Sequence, residues 1–295
     1  RQQLRGCLRL ADFADRVVPT VGLDRVILRR DTAEDVRQIV EFEKARSVLF
    51  GQWGFEERWS TNRGVAALFY GPPGTGKTLA AEAIGFELGR PLKLVNTSEV
   101  VSKWVGETSK NLVNLFRQAQ ATNSILLFDE AEGLFGARSN APQDAAGREG
   151  NLTVGVLLRE VERFPGLVIL ATNLEREIDP AFSRRFKFAV RFERPEQSHR
   201  EQIWRTLLPP ALPLAADVDL AALAGRFDLS GGRIKNAIFK AAARAALREN
   251  GARLVTMADL ALAARQELDS EPARPVGFQP AAVTRLSRRE PEMVG

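Results

Sequence analysis

The stretch FYGPPGTGKTLAAEAI, residues 69–84, links an apolar run to a helical pattern through a loop rich in glycine and proline. The loop has the spacing G-x-x-x-x-G-K-[ST] and consists of Gly71, Pro72, Pro73, Gly74, Thr75, Gly76, Lys77 and Thr78. Glycines allow positive φ angles, so backbone N–H groups of the loop and of the helix start can surround an anion. The pattern predicts a phosphate-binding loop, in which Lys77 contacts the β- and γ-phosphates and Thr78 supplies a hydroxyl ligand for Mg²⁺.

Two adjacent acids follow another apolar run, in the stretch ILLFDEAE at residues 125–132. Carboxylates directly after a buried strand are costly unless a cation lies nearby. Asp129 is therefore a candidate to hold Mg²⁺, and Glu130 is a candidate to orient or deprotonate an attacking water. Asn173, at the end of a third apolar run, is a candidate contact for the γ-phosphate or that water, with a loop-capping role left open. Together these residues predict hydrolysis of a nucleotide.

Short apolar runs alternate with helical patterns up to residue 194, which is typical of an α/β fold with helices on both faces of a parallel sheet. The predicted strands are residues 65–70, 91–95, 125–128, 167–171 and 188–192. Beyond them only helical patterns occur, and a proline-rich end follows. The predicted divisions are an N-terminal segment or linker (1–30), a large α/β domain (31–194), a small all-helical domain (195–268) and a flexible tail (269–295).

The composition excludes several classes of protein. Cys7 is the only cysteine among 295 residues, so an internal disulfide framework is excluded, and the single His199 leaves little for histidine-based catalysis. The net charge of +5 permits a nucleic-acid partner without demanding one. No apolar stretch approaches the roughly 18 residues of a membrane span and no signal peptide is visible, so a cytoplasmic protein is expected. Because the chain begins with Arg1 rather than Met, an additional upstream domain is left open.

The motifs, in their order along the chain, resemble the AAA group of the AAA+ ATPases. The resemblance covers roughly residues 20–267 and rests on the segments GPPGTGKT, LLFDEAE, ATN, IDPAFSRRF and LSGGRIKNA. It implies a P-loop NTPase fold with a parallel sheet of order 5-1-4-3-2, followed by a small all-helical lid domain. It also implies ATP and Mg²⁺ as ligands, and a ring of identical subunits, typically a hexamer, with ATP sites between neighbours.

The resemblance assigns further roles by position. Asn173 corresponds to sensor 1, and Arg185, together with Arg184, corresponds to the arginine finger that reaches into the neighbouring subunit's site. Arg233 lies in the sensor 2 region, where a γ-phosphate contact and no such contact are equally compatible with the family pattern. Asn96 resembles the polar residue that restrains the catalytic glutamate, although a plain strand-end turn fits equally well. The segment VGLD at 21–24 resembles the lining of the adenine pocket.

The segment VSKWVGETSKNLVNLF, residues 101–116, resembles the first pore loop of AAA motors. Lys103, Trp104 and Val105 match the part of that loop that grips an extended polypeptide, as in katanin and spastin, and Trp suits the task because it offers a large apolar contact. A Trp packed against the helix at 108–121 is the alternative.

The chain is also similar to single-ring bacterial AAA proteins, some of them linked to contractile injection systems. The sequence therefore predicts an ATP-driven motor that remodels, unfolds or disassembles a protein substrate. A nucleic-acid-associated AAA+ ATPase and a nucleotide-switched assembly scaffold are the alternatives.

Overall fold

The computed structural model describes residues 14–58, 64–97, 108–132, 145–174, 185–248 and 253–270. The strands are β1 (Ala14–Val17), β2 (Val65–Tyr70), β3 (Leu92–Asn96), β4 (Ile125–Asp129), β5 (Leu167–Thr172) and β6 (Phe188–Arg191). The helices are α1 (Arg30–Ser47), α2 (Phe55–Arg58), α3 (Lys77–Leu88), α4 (Thr108–Ala121), α5 (Ala145–Arg163), α6 (Gln197–Leu207), α7 (Leu220–Arg226), α8 (Gly231–Ala246) and α9 (Met257–Asp269).

Within these ranges, the six strands form one sheet in the order β1-β3-β4-β5-β2-β6. Strands β2 to β6 run parallel to one another, and in β2 Leu68 lies beside Leu170 of β5 and Ala189 of β6. Strand β1 is antiparallel to β3 at the sheet edge, with Ala14 opposite Val95. The predicted α/β fold is confirmed, but the sheet is mixed rather than purely parallel.

The sequence does not predict β1, which falls within the expected N-terminal segment or linker. Its residues ADRV place two exposed polar side chains, Asp15 and Arg16, in the middle of the strand. An edge strand has a single neighbour and does not need an apolar run, so a search for such runs misses it.

Apolar side chains cover both faces of the central strands, which explains why those strands read as continuous apolar runs. On one face, Leu112 and Phe116 of α4 and Leu157 of α5 belong to a core that includes Phe128 of β4. The rings of Phe116 and Phe128 are stacked 5.9 Å apart. On the other face, helices α1 and α3 contribute their buried side chains to a second core.

The helices after β6 have a separate core that includes Trp204 of α6, Ile234 of α8 and Leu260 of α9. These side chains are fully buried. The described elements after β6 are helices, as the sequence predicts for the part of the chain beyond residue 194. Helix α8 begins at Gly231, and its first turn lies close to the phosphate loop, where the Gly232 N–H bonds to the Gly74 carbonyl. None of the described helices is long and apolar enough to cross a bilayer.

Helix α9 starts with a capping box in which Thr256 and Asp259 exchange hydrogen bonds. Burial raises the pKa of Asp259, but the hydrogen bonds from Thr256 and Arg248 lower it more, so the pKa lies below its ordinary value. A depressed pKa in the folded state means that the carboxylate stabilises the fold above its unfolded pKa, and that this contribution is lost as the pH falls through the folded pKa.

We expect Asp259→Asn to lower the free energy of unfolding by about 1–2 kcal/mol at pH 7, because one cap and one ion pair are weakened. The difference between variant and wild type should begin to shrink below about pH 4, where the carboxylate of the unfolded chain becomes protonated, and should be lost as the pH falls through the lower folded pKa. Urea melts across this pH range measure both effects, and a constant difference at every pH would contradict the assigned role of the charge.

Candidate nucleotide-binding site

A cavity of about 470 Å³ lies where the carboxyl ends of β4 and β5 meet the loop after β2. One side is formed by the loop 73–78 together with Asp129, Glu130 and Asn173. The opposite side is formed by the helical segment, through α6 and the first turns of α8. Open α/β sheets bind ligands at this edge, and the volume suits a small organic molecule.

The loop 71–78 needs glycine at positions where the chain turns sharply and other backbone comes close. Gly71 has a φ angle of 139°, and a β-carbon there would lie 1.9 Å from the carbonyl oxygen of Phe192. Gly74 has a φ angle of 74° and faces Ser230, whose hydroxyl would lie 2.6 Å from an added β-carbon. The Gly74 carbonyl also accepts a hydrogen bond of 3.2 Å from the Gly232 N–H. The loop is thus fixed between the end of β6 and the start of α8.

Lys77 begins helix α3 and is almost completely buried, with 7% of its surface exposed. Its ammonium donates hydrogen bonds to the carbonyl oxygens of Gly71 (2.7 Å) and Pro72 (2.9 Å). It also donates to Oδ1 of Asn173 at the end of β5, at 2.8 Å. The charge is therefore held inside the loop, in direct contact with Asn173, the predicted sensor 1 residue.

Thr78 and Asp129 form a second contact between the loop and the sheet. The Thr78 hydroxyl donates to Oδ2 of Asp129 at 2.8 Å, so two oxygen ligands lie side by side at the cavity. Among the described residues, no group of three or more His, Cys, Asp or Glu side chains could hold a metal by itself. This donor set fits Mg²⁺, which takes one or two protein oxygens together with phosphate oxygens and water.

Glu130 is exposed, lines the cavity, and has an unusual backbone conformation for a glutamate, with a φ angle of 52°. Its N–H donates to Oδ1 of Asp129 at 3.0 Å, and the next N–H, that of Ala131, donates to the Ala171 carbonyl of β5 at 2.9 Å. The hydroxyl of Thr97 contacts the carbonyl oxygens of Asp129 and Glu130. The turn that carries Glu130 is thus tied to both neighbouring strands.

Asn173 is also fixed through its backbone. Its N–H donates to Oε1 of Glu132 at 2.5 Å, while its side chain receives the hydrogen bond from Lys77.

Two residues that hold the site, Glu132 and Thr97, were given no role from the sequence. Glu132 was visible as an additional acid in the segment DEAE, whereas the contact of Thr97 depends on strand pairing that the local sequence does not display.

Arg185 does not line the cavity of its own chain. Its Nε lies 2.6 Å from Oε1 of Glu162, and its side chain remains 33% exposed. Arg184 and the predicted pore-loop residues Lys103, Trp104 and Val105 lie outside the described residues, as does the side chain of Asn96. The predicted roles of these residues therefore remain predictions.

Arg233, the predicted candidate for sensor 2, does not line the cavity in this structure. Its guanidinium donates to the Glu267 carbonyl and to the Ser270 hydroxyl (3.1 Å) at the end of α9. Lys235, two residues later, lines the cavity instead. An α-helix turns by about 200° over two residues, so side chains at these positions project from opposite faces of α8.

The other half of the cavity is lined by residues 25–29 and by α6. The segment 21–24, which the resemblance assigns to the adenine pocket, directly precedes these lining residues. His199, the third residue of α6, lines this half, and its Nδ1 is buried without a hydrogen-bond partner. Its place in the cavity was not predicted from the sequence.

Residues 67–194 match the family model described as ATPase family associated with various cellular activities (AAA). The chain is 35% identical over 192 residues to the uncharacterized AAA family ATPase y4kL of Sinorhizobium fredii, which covers 63% of this chain and 54% of the relative. It is 33% identical over 248 residues to the proteasome-activating nucleotidase of Methanopyrus kandleri, which covers 82% of this chain and 55% of the relative. The chain thus spans about half the length of both relatives.

The crystal structure of the FIGL-1 AAA domain is similar to this chain with a TM-score of 0.69 at 23% sequence identity. The similarity covers 91% of this chain and 93% of that chain, and at this identity it shows a shared fold alone. The resemblance to AAA ATPases inferred from the motifs is confirmed. Residues 67–194 therefore match the AAA ATPase family, and the fold of the chain is that of an AAA domain.

Proposed function

We propose that this protein is an ATP-hydrolysing AAA+ motor that remodels, unfolds or disassembles a protein substrate. The observation that carries the ATPase part is the pair of contacts from Lys77 to Asn173 and from Thr78 to Asp129. They join the phosphate loop to the ends of two strands, so that anion-binding, metal-binding and water-orienting groups line one cavity.

In the proposed mechanism, the backbone N–H groups of the loop and the start of α3 hold the phosphates of ATP, and Lys77 neutralises part of their charge. Thr78 and Asp129 would hold Mg²⁺, which supplies further neutralisation of the phosphate charge when it is bound. Residues of α6 and α8 also line the cavity. In this mechanism they would position the base and the ribose.

Glu130 orients the attacking water and accepts its proton, while Asn173 contacts the γ-phosphate or that water. Arg185 of a neighbouring subunit, assisted by Arg184, stabilises the negative charge that develops on the transferred phosphoryl group. Such an arginine typically contributes about 10³-fold or more in rate. Because Arg185 pairs with Glu162 outside the cavity of its own chain, a role in a neighbouring site is consistent with its position.

The proposal of a protein substrate rests on Lys103, Trp104 and Val105, which match the aromatic pore loop of protein-threading AAA motors. One relative is named as a proteasome-activating nucleotidase, which agrees with an activity on proteins. We further propose a homo-oligomeric ring, with six subunits as the expected number, and a location in the cytoplasm.

Glu130→Gln should bind ATP with wild-type affinity and hydrolyse it about 10²–10⁴-fold more slowly, because the amide cannot accept the proton from water. Phosphate release under saturating ATP and Mg²⁺ measures the rate, and a titration with ATP measures the affinity. Glu160→Gln on α5 provides a matched control, since it makes the same change outside the cavity. Unchanged turnover in Glu130→Gln would contradict the assigned role.

The same variant tests the substrate class, because a ring that binds ATP without hydrolysing it should retain its substrate. We expect Glu130→Gln to retain protein from a native lysate in the presence of ATP, and Glu130→Gln/Trp104→Ala to retain much less. Nucleic acid retained by both variants would favour the nucleic-acid-associated alternative. Protein retained equally by both would contradict a gripping role for Trp104.

A further inference from the structure

Thr97 lies immediately after β3 and is completely buried. Its hydroxyl lies 3.0 Å from the carbonyl oxygen of Asp129 and 2.5 Å from that of Glu130. The register of the sheet explains this placement, because Asn96 is paired with Asp129 and the following residues of the two strands continue side by side. Threonine is suited to hold such a contact, since its branched side chain has few rotamers.

The backbone that Thr97 contacts is in a conformation that a glutamate rarely adopts. Glu130 has a φ angle of 52°, and Asn123 is the other described non-glycine residue with a positive value. Asparagine tolerates positive φ angles well, whereas they are sterically unfavourable for a longer side chain. Glu130 therefore requires surrounding contacts that fix its backbone. Thr97 supplies such a contact from β3, and the Ala131 N–H supplies one toward β5.

We propose that Thr97 is a positioning residue that sets the direction of the Glu130 carboxylate by fixing the backbone of the turn that carries it. Thr97 contacts neither the carboxylate of Glu130 nor the cavity, and acts only through the two carbonyl groups. This differs from the role that the resemblance gives to Asn96, which would restrain the glutamate side chain itself. The inference rests on the proposed role of Glu130 as the group that orients water.

The loss of the hydroxyl would leave two carbonyl groups without this donor in a buried region. The turn could then relax toward an ordinary backbone conformation, and the carboxylate would move relative to the γ-phosphate. Displacement of a catalytic group by about 1 Å costs on the order of 10²-fold in rate. Nucleotide binding depends on the phosphate loop and would not change.

The test compares Thr97→Val, which removes the hydroxyl and keeps the shape, with Thr97→Ser, which keeps the hydroxyl. We expect kcat for ATP to fall about 10–100-fold in Thr97→Val and to recover most of its value in Thr97→Ser, while the Kd for ATP stays within about twofold of wild type in both. A wild-type kcat in Thr97→Val, equal losses in both variants, or a parallel rise in Kd would overturn the inference. If Thr97→Val does not fold, Thr97→Ala serves the same comparison with less side-chain volume.

Thr256→Val provides the matched control, because it removes a hydroxyl that bonds to Asp259 at the start of α9. It should lower Tm without reducing kcat, whereas an equal loss of kcat would mean that destabilisation alone explains Thr97→Val and would overturn the inference. Wild type and Glu130→Gln are measured in parallel. Equal turnover in these two would refute the proposed function, while normal wild-type turnover with an unaffected Thr97→Val refutes only the role of Thr97.

Discussion

Lys77→Ala should abolish ATP binding in a calorimetric titration, with Kd raised at least about 100-fold. The wild-type ammonium is already buried and bonds to oxygen atoms of Gly71, Pro72 and Asn173. Binding a phosphate therefore carries no additional cost for removing the ammonium from water. Two charge-assisted hydrogen bonds to phosphate contribute roughly 3 kcal/mol or more, which corresponds to that change in Kd.

Lys93→Ala is the control for this change. Lys93 lies on β3, and its ammonium donates a hydrogen bond to Gln118 of α4. It is also partly buried, and this burial lowers the pKa of Lys93. It does not line the cavity, and we expect its removal to leave the titration unchanged. Wild-type affinity in Lys77→Ala, with the fold verified by a thermal melt, would contradict the assignment of the phosphate loop.

Arg185→Ala should leave the Kd for ATP unchanged and reduce ATP turnover about 10³-fold or more. In its own chain, Arg185 pairs with Glu162 and lies outside the cavity, so its removal does not disturb nucleotide contacts. The expected loss of rate comes from the neighbouring site, into which the guanidinium would reach. Phosphate release and an ATP titration on the same preparation separate the two effects.

Mixing experiments test whether the arginine acts between subunits. Arg185→Ala and Glu130→Gln are each inactive as pure rings, but a mixed ring contains some sites with an intact Glu130 beside an intact Arg185. Mixtures should therefore recover part of the turnover. No recovery, in mixtures shown by native mass spectrometry to contain both variants, would contradict action in trans. Arg205→Ala is the control, because Arg205 forms an exposed ion pair with Glu201 on α6 and should have wild-type turnover.

The phosphate loop and the acids after β4 could be predicted from sequence because their chemistry is local. The residues Gly71 to Thr78 are contiguous, and Asp129 and Glu130 directly follow an apolar strand, so a short window contains the whole signal. The contact between Thr78 and Asp129 then follows from parallel strands that end at one edge of the sheet.

The features that were missed depend on contacts between distant segments or on the phase of a helix. Strand β1 is defined by its pairing with β3, and the role of Thr97 is visible only once β3 and β4 are aligned. The place of Lys235 in the cavity was missed because the packing of α8 against distant segments decides which of its faces lines the cavity, and residues two apart project from opposite faces.

The shared walls of the cavity have a thermodynamic consequence for the whole molecule. The phosphate loop and the helical segment each form one side, and the Gly232–Gly74 hydrogen bond joins them at the edge. A bound nucleotide would therefore be released if either part lost its structure, which couples the melting of the two parts. At a free ligand concentration of 100 times Kd, this linkage adds about 2.7 kcal/mol to the free energy of unfolding. In the proposed motor, each cycle of hydrolysis and product release would change how firmly the helical segment is held at the phosphate loop, and that change could produce force on a protein substrate.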